Sequence, residues 1–144
     1  MKNKTLATWI TLILGPLGMH RFYLYGWRDA LGWMMPIPTL LGLYGFQRVS
    51  DYGLDDVVSW VLLPILGIHL AAICLTAIVY GLMQKEKWNH AFNPDASPEQ
   101  EAGQTSWSTI GAIVLSLMLG TVFLLSALAY SFQRYFEYTS PPIS

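Results

Sequence analysis

The chain has 144 residues, of which 53% are hydrophobic and only 12% charged, and its formal net charge is -1. Soluble domains average roughly a quarter charged residues. Half that share, with positive mean hydropathy and apolar residues gathered in blocks, points to an integral membrane protein. The charge balance excludes nucleic acid as a partner, because phosphate binding needs clustered Lys and Arg. The single cysteine, Cys74, excludes an intrachain disulfide and a cysteine-based zinc site. Inside an apolar run it reads as a small buried hydrophobe.

The expected fold class is an all-α integral membrane protein with four transmembrane helices. Three is the alternative, and the first two form a hairpin broken by proline and glycine. The first apolar run, residues 5–19, is short and contains Gly15, Pro16 and Gly18. Met1-Lys2-Asn3-Lys4 looks like the basic start of a signal peptide, but no A-x-A cleavage site follows, so the run is expected to stay in place. Next comes Gly15-Pro16-Leu17-Gly18-Met19-His20-Arg21-Phe22-Tyr23-Leu24-Tyr25-Gly26. It reads as a tight turn at a membrane surface: glycines bend the backbone, His and Arg reach headgroups or carbonyls, and aromatic rings sit at the lipid boundary.

The second run, residues 30–47, carries Pro36 and Pro38, with Gly32, Gly42 and Gly45 nearby. It either crosses or lies as a re-entrant or surface segment, since broken helices persist in membranes where neighbours satisfy the freed carbonyls. Together with a short linker bearing Arg48, Asp51, Asp55 and Asp56, these two runs make a unit of residues 1–56. Asp55 and Asp56 suit the N-terminus of the helix that follows.

Residues 57–83 and 108–132 contain no Asp, Glu, Lys or Arg. Each exceeds the ~20 residues that a helix needs to cross the hydrocarbon, so they read as the third and fourth spans. Trp60, Tyr80, Trp107 and Tyr130 lie near their ends as an aromatic belt. Residues 84–107 form a polar loop whose aromatic first half rests on the membrane, and residues 133–144 form an interfacial aromatic tail. No internal repeat is expected. With four spans the basic residues divide evenly: Lys2, Lys4, Arg48 and Arg134 against Arg21, Arg28, Lys85 and Lys87. The positive-inside rule then gives no orientation.

Lys4-Thr5-Leu6-Ala7, the apolar run, and Gly15-x-x-Gly18-x-His20-Arg21-Phe22-Tyr23-Leu24 resemble the TM-two domain family. Members have two transmembrane helices joined by a short turn bearing a His/Asp-Arg-Phe motif. Within the family the chain is similar to small bacterial membrane proteins of the NINE type. The likeness covers roughly residues 2–65. It implies a multi-pass protein of the bacterial inner (cytoplasmic) membrane, and it brings no enzymatic activity. A second acidic position of the family corresponds to Asp51 or Asp55. For eukaryotic members the motif turn faces the cytoplasm.

The candidate residues follow from these patterns. Gly15, Gly18, His20, Arg21, Phe22 and Tyr23 form the turn. There His20 and Arg21 contact lipid phosphate, pair with an acid such as Asp29, or cap carbonyls. His69, near the middle of the third span, is the one possible intramembrane polar site. Its readings are a hydrogen bond to a neighbouring helix, proton relay, quinone contact, or haem ligation with Met118 opposite. Ala112, Ser116 and Gly120 repeat every four residues, with Gly67 and Ala71 as a shorter stripe. Such small-residue faces pack within the chain or dock a partner.

No catalytic residues, metal site or cofactor are expected. His90 with Asp95, Glu99 and Glu101 lacks metal-ligand spacing, and nucleophile and phosphate-loop motifs are absent. The expected function is a non-enzymatic scaffold, assembly factor or accessory subunit of a larger membrane complex or homo-oligomer, with the lipid bilayer as its constant partner. The alternative is a redox or proton-handling component using His69.

Overall fold

The structure, a computed structural model, describes residues 1–97 and 100–141. Glu99, named above beside His90, and the end of the tail, 142–144, lie outside the described residues. Among those described, every regular element is helical. The α-helices are α1 (Lys4–Leu14), α2 (Met19–Tyr25), α3 (Ala30–Met34), α4 (Pro36–Tyr52), α5 (Val57–Leu82), α6 (Lys85–Phe92) and α7 (Trp107–Thr139).

The first run does not form a full-length helix. Asn3 caps α1 by accepting from the Leu6 amide. After 11 residues the chain passes into a 3-10 turn at Gly15–Leu17, and Gly18 ends it in the left-handed region at φ 78°. Glycine adopts that conformation without the steric cost other residues meet. The helix α2 then returns alongside α1. The Lys2 ammonium donates to the Leu24 carbonyl, and the Asn3 amide donates to the Tyr23 hydroxyl at 2.8 Å.

The depth of this hairpin is read against α5. Lys4, fully buried, donates to the Met83 carbonyl (2.7 Å) just past the end of α5. The turn at Gly15 lies against Ile73. From Ile73 to Leu82 is ~15 Å at 1.5 Å per residue, whereas the whole of α5 is ~39 Å. The hairpin therefore goes less than halfway along α5 and comes back to its starting end. So short an excursion does not support the expectation of four transmembrane helices.

The second run, in contrast, is nearly continuous. Asp29 caps α3, and Met35 keeps right-handed helical angles (φ -59°, ψ -37°), so α3 leads directly into α4. Pro36 opens α4 at a position where its missing N–H is least costly. Gly42 and Gly45 let α4 press onto Leu66 and Leu62 of α5. Gly42 against Leu66, Gly45 against Leu62 and Arg48 bonded to Asp56 make the pair antiparallel.

Two stretches, Val57–Leu82 and Glu101–Thr139, are long and apolar enough to cross a membrane. The helix α7 starts at a capping box in which Ser106 and Thr109 exchange hydrogen bonds. It runs antiparallel to α5, with Gly67 against Ala127, Gly120 against Cys74 and Gly81 against Ile113. The helix α6 lies over the open end of the hairpin. Its fully buried Trp88 joins Ala7, Leu24 and Tyr80 in the main hydrophobic cluster. One face of the loop half expected to rest on the membrane thus packs on the protein, while Glu86, Lys87 and His90 stay exposed.

Candidate functional site

Two helix junctions each hold an Arg–Asp ion pair, and both are built the same way. At the first, the Arg21 guanidinium grips Asp29, Nε to Oδ2 at 2.5 Å and Nη2 to Oδ1 at 3.2 Å. It lies over the Tyr25 ring at 4.7 Å. Gly26 turns the chain at φ 87°, Asp29 accepts from the Gly32 amide at 2.9 Å, and the Trp33 indole donates to the Trp27 carbonyl at 2.9 Å.

At the second junction Arg48 grips Asp56, Nε to Oδ2 at 2.9 Å and Nη2 to Oδ1 at 2.7 Å, and lies over Tyr52 at 4.9 Å. Gly53 turns at φ 87°, Asp56 accepts from the Ser59 amide at 3.0 Å, and the Trp60 indole donates to the Leu54 carbonyl at 3.1 Å. The shared pattern is Arg-x-x-x-Tyr-Gly-x-x-Asp-x-x-Gly/Ser-Trp, at residues 21–33 and 48–60. Each copy is preceded by Gly-x-x-Gly-x-x, beginning at Gly15 and at Gly42. The chain therefore contains an internal repeat, contrary to expectation. The differing residue types between the matched positions conceal it.

Electrostatically both junctions are closed. Hydrogen bonds from Arg21 hold the Asp29 carboxyl below the usual carboxylate range. Arg48, and then Ser59, hold Asp56 well below it. The Arg21 fork is thus occupied by Asp29, which of the three sequence readings is the acidic pairing. Asp51 and Asp55, the family-derived acidic candidates, are exposed, and the acids that pair with the two arginines are Asp29 and Asp56.

The remaining turn residues hold the hairpin. Gly15 and Gly18 allow close approach to Ile73 and to the Gly32 carbonyl. Phe22 stacks on Trp27 at 5.0 Å and meets Trp33 at 5.1 Å. The Tyr23 hydroxyl accepts from Asn3. His20 is 2% exposed, faces Tyr80 at 6.3 Å between ring centres, and its Nδ1 has no hydrogen-bond partner.

Several contributors were missed from sequence. Thr39 donates to the Pro16 carbonyl (2.8 Å) at the hairpin tip. Asn93 both accepts from the Lys2 amide (2.7 Å) and donates to the Lys2 carbonyl (2.9 Å), and the Trp88 indole donates to that same carbonyl at 2.9 Å.

His69 is half-buried in the middle of α5. It lines a groove of about 340 Å³ with Arg21, Leu31, Met34, Ile37 and Pro38. Its Nε2 is buried and makes no hydrogen bond of good geometry. Met118 is 61% exposed on α7. The stripe of Ala112, Ser116 and Gly120 lies on the α5 side of α7, the first two fully buried, with Gly120 against Cys74. Gly67 meets Ala127, and Ala71 borders the same groove as Gly120. These small residues are used in packing α5 on α7. Among the described residues no cluster of three His, Cys, Asp or Glu is placed to hold a metal.

Comparison with protein-family models, with curated proteins and with solved structures finds no significant match.

Proposed function

We propose that the chain is a non-enzymatic multi-pass protein of the cytoplasmic membrane, acting as a scaffold or accessory subunit. The observation that carries the membrane reading is exposure. Only 17% of the most apolar window of each long stretch is buried within the protein. A core helix of a soluble protein buries most of such a window, because contiguous apolar surface in water is costly. Lipid is the cover that fits.

The proposed topology has three crossings, namely α3 with α4, α5, and α7. The α1–α2 hairpin enters from one side and returns. The paired junctions support this. From Asp29 to Gly53 the helical path is ~36 Å at 1.5 Å per residue, against a hydrocarbon core of ~30 Å. Trp27, Trp33 and Tyr25 at one end, and Tyr52, Trp60 and Tyr138 at the other, then sit as two aromatic girdles. Backbone at a re-entrant tip must be satisfied by protein, and Thr39 does this for Pro16.

This topology also breaks the tie in charge. Lys2 and Lys4 move to the side of Arg21, Arg28, Lys85 and Lys87, leaving only Arg48 and Arg134 opposite. The positive-inside rule then favours a cytoplasmic N-terminus and 84–106 loop. Reporters at the N-terminus and after Asp95 should read one compartment, and reporters after Ser50 and Ser140 the other. Matching compartments at the two chain ends would sink the three-crossing layout.

A second reading rests on the groove that brings His69 and Arg21 together. A quinone-type ligand there would make the chain a redox or proton-handling component. Gently purified protein that carries a haem band or extractable quinone, lost in His69→Phe, supports that reading. Clean protein that copurifies with a larger complex supports the scaffold.

A further inference from the structure

The hairpin makes the molecule unequal at its two ends. Near the end that holds Lys4 and Met83, five helices share the cross-section: α1, α2, α3, α5 and α7. The helix α6 lies across them. Near the end that holds Arg48 and Asp56 there are three, α4, α5 and α7. Burial follows the same division. Ala7, Leu24, Tyr80, Trp88, Ile73, Cys74 and Ala112 lie in the wide half, whereas among the described residues Ala127 is the buried hydrophobic side chain toward the narrow one. A helix with side chains is ~10 Å across, so two more helices add ~160 Å² to one half only.

The wide end cannot flatten. Lys4 bonds Met83 and Thr105 (2.5 Å), Trp88 and Asn93 hold Lys2, and Thr39 holds the tip. Below the tip, Leu14 and Leu17 are 40% and 48% exposed, so the protein leaves much of both side chains uncovered.

On the three-crossing reading, we infer that this chain is a one-leaflet wedge whose partner is the lipid leaflet itself. It prefers bilayers that are convex on the side bearing α6. The wide half expands one leaflet, and lipid tails of the other leaflet close over Leu14 and Leu17. Convex curvature on the wide side relieves the mismatch in area, and concave curvature worsens it.

The test uses the full chain in phosphatidylcholine–phosphatidylglycerol vesicles of mixed diameter. Fluorophores are placed singly at Ser97→Cys or Ser140→Cys, both exposed sites, while Cys74 is buried. A membrane-impermeant quencher sorts molecules by orientation in single vesicles. Molecules with residue 97 outside should rise in density per lipid as diameter falls, and those with residue 97 inside should decline. Equal density at all diameters, with residues 97 and 140 on opposite sides, overturns the wedge and leaves the topology intact. Flat density with two-step photobleaching also overturns it, because a second copy then fills the space below the tip. Residues 97 and 140 on one side remove the three-crossing reading and the wedge with it.

Discussion

Replacing Gly18 by alanine strikes the point at which the chain reverses. Gly18 has φ 78°, a left-handed conformation, and a Cβ built there sits 2.3 Å from the Gly32 carbonyl oxygen and 3.1 Å from Met35 Cβ. The conformation alone costs an L-residue ~1–2 kcal/mol. Forcing a methyl into backbone that is already in contact costs ~1–3 kcal/mol more, since α3 must move off α2. The expected loss is therefore about 2–5 kcal/mol. A contrasting site is Gly111 in α7, where an added Cβ meets nothing within 4 Å. Alanine there gains helix propensity of up to about 1 kcal/mol. Apparent melting temperature in mild detergent, read by size-exclusion fluorescence, separates the two. Gly18→Ala should fall well below the parent chain, and Gly111→Ala should match or exceed it. If both behave alike, the tight turn from α1 into α2 and its close packing against Gly32 are not what hold the hairpin.

Three further outcomes follow from named contacts. Thr39→Val keeps the side-chain shape and removes the donor to the Pro16 carbonyl; it should cost about 1–3 kcal/mol, and Thr39→Ser should recover most of the loss in the same melt. Trp88→Ala empties a fully buried site against Tyr80 and Phe92; a loss of ~3–5 kcal/mol is expected, with limited proteolysis then cutting at residues 84–97 first. Asp56 titrates lower in the folded chain than unfolded because Arg48 and Ser59 bond its charged form. Its contribution is present above the ordinary carboxylate range and is lost as pH falls through the lowered value. Stability should stay flat down to about pH 5 and decline below about pH 4, and Asp56→Asn should flatten that acid limb while lowering stability at neutral pH.

Helical class, the two long apolar stretches and the reversal at Gly15–Gly18 were legible because they rest on local signals: run length, absence of charge, and the backbone demands of Gly and Pro. The hairpin's depth was not. An apolar run with Gly15, Pro16 and Gly18 suits a short crossing as well as a half-depth return. The choice between them rests on partners far along the chain, Thr39 for the tip and Met83 for Lys4, 79 residues away. The small-residue stripe on α7 was visible, but a stripe names no partner. Its match to Cys74 on α5 appears only when the helices are side by side. The repeated junction escaped because its copies share Arg, Tyr, Gly, Asp and Trp at fixed spacing while the residues between differ. Aligning the two Tyr-Gly pairs, at Tyr25 and Tyr52, exposes it.

The repeat also explains why the two halves of the N-terminal unit differ in length. Each copy starts from Gly-x-x-Gly and ends in an Arg-clamped junction, so each sets where one helix stops and the next begins. In the second copy the glycines at 42 and 45 lie within a long helix that presses on α5. In the first copy the same spacing carries Pro16 and a left-handed Gly18, and the helix breaks there. Pinned by Lys4 at the end of α5, α1 has 11 residues and reaches ~17 Å, short of the ~30 Å hydrocarbon core. One shared spacing thus accompanies a straight helix where the glycines only ease contact and a half-depth hairpin where one of them turns the chain. On the proposed topology, that difference would leave three crossings and put Lys2 and Lys4 on the side of Arg21, Arg28, Lys85 and Lys87.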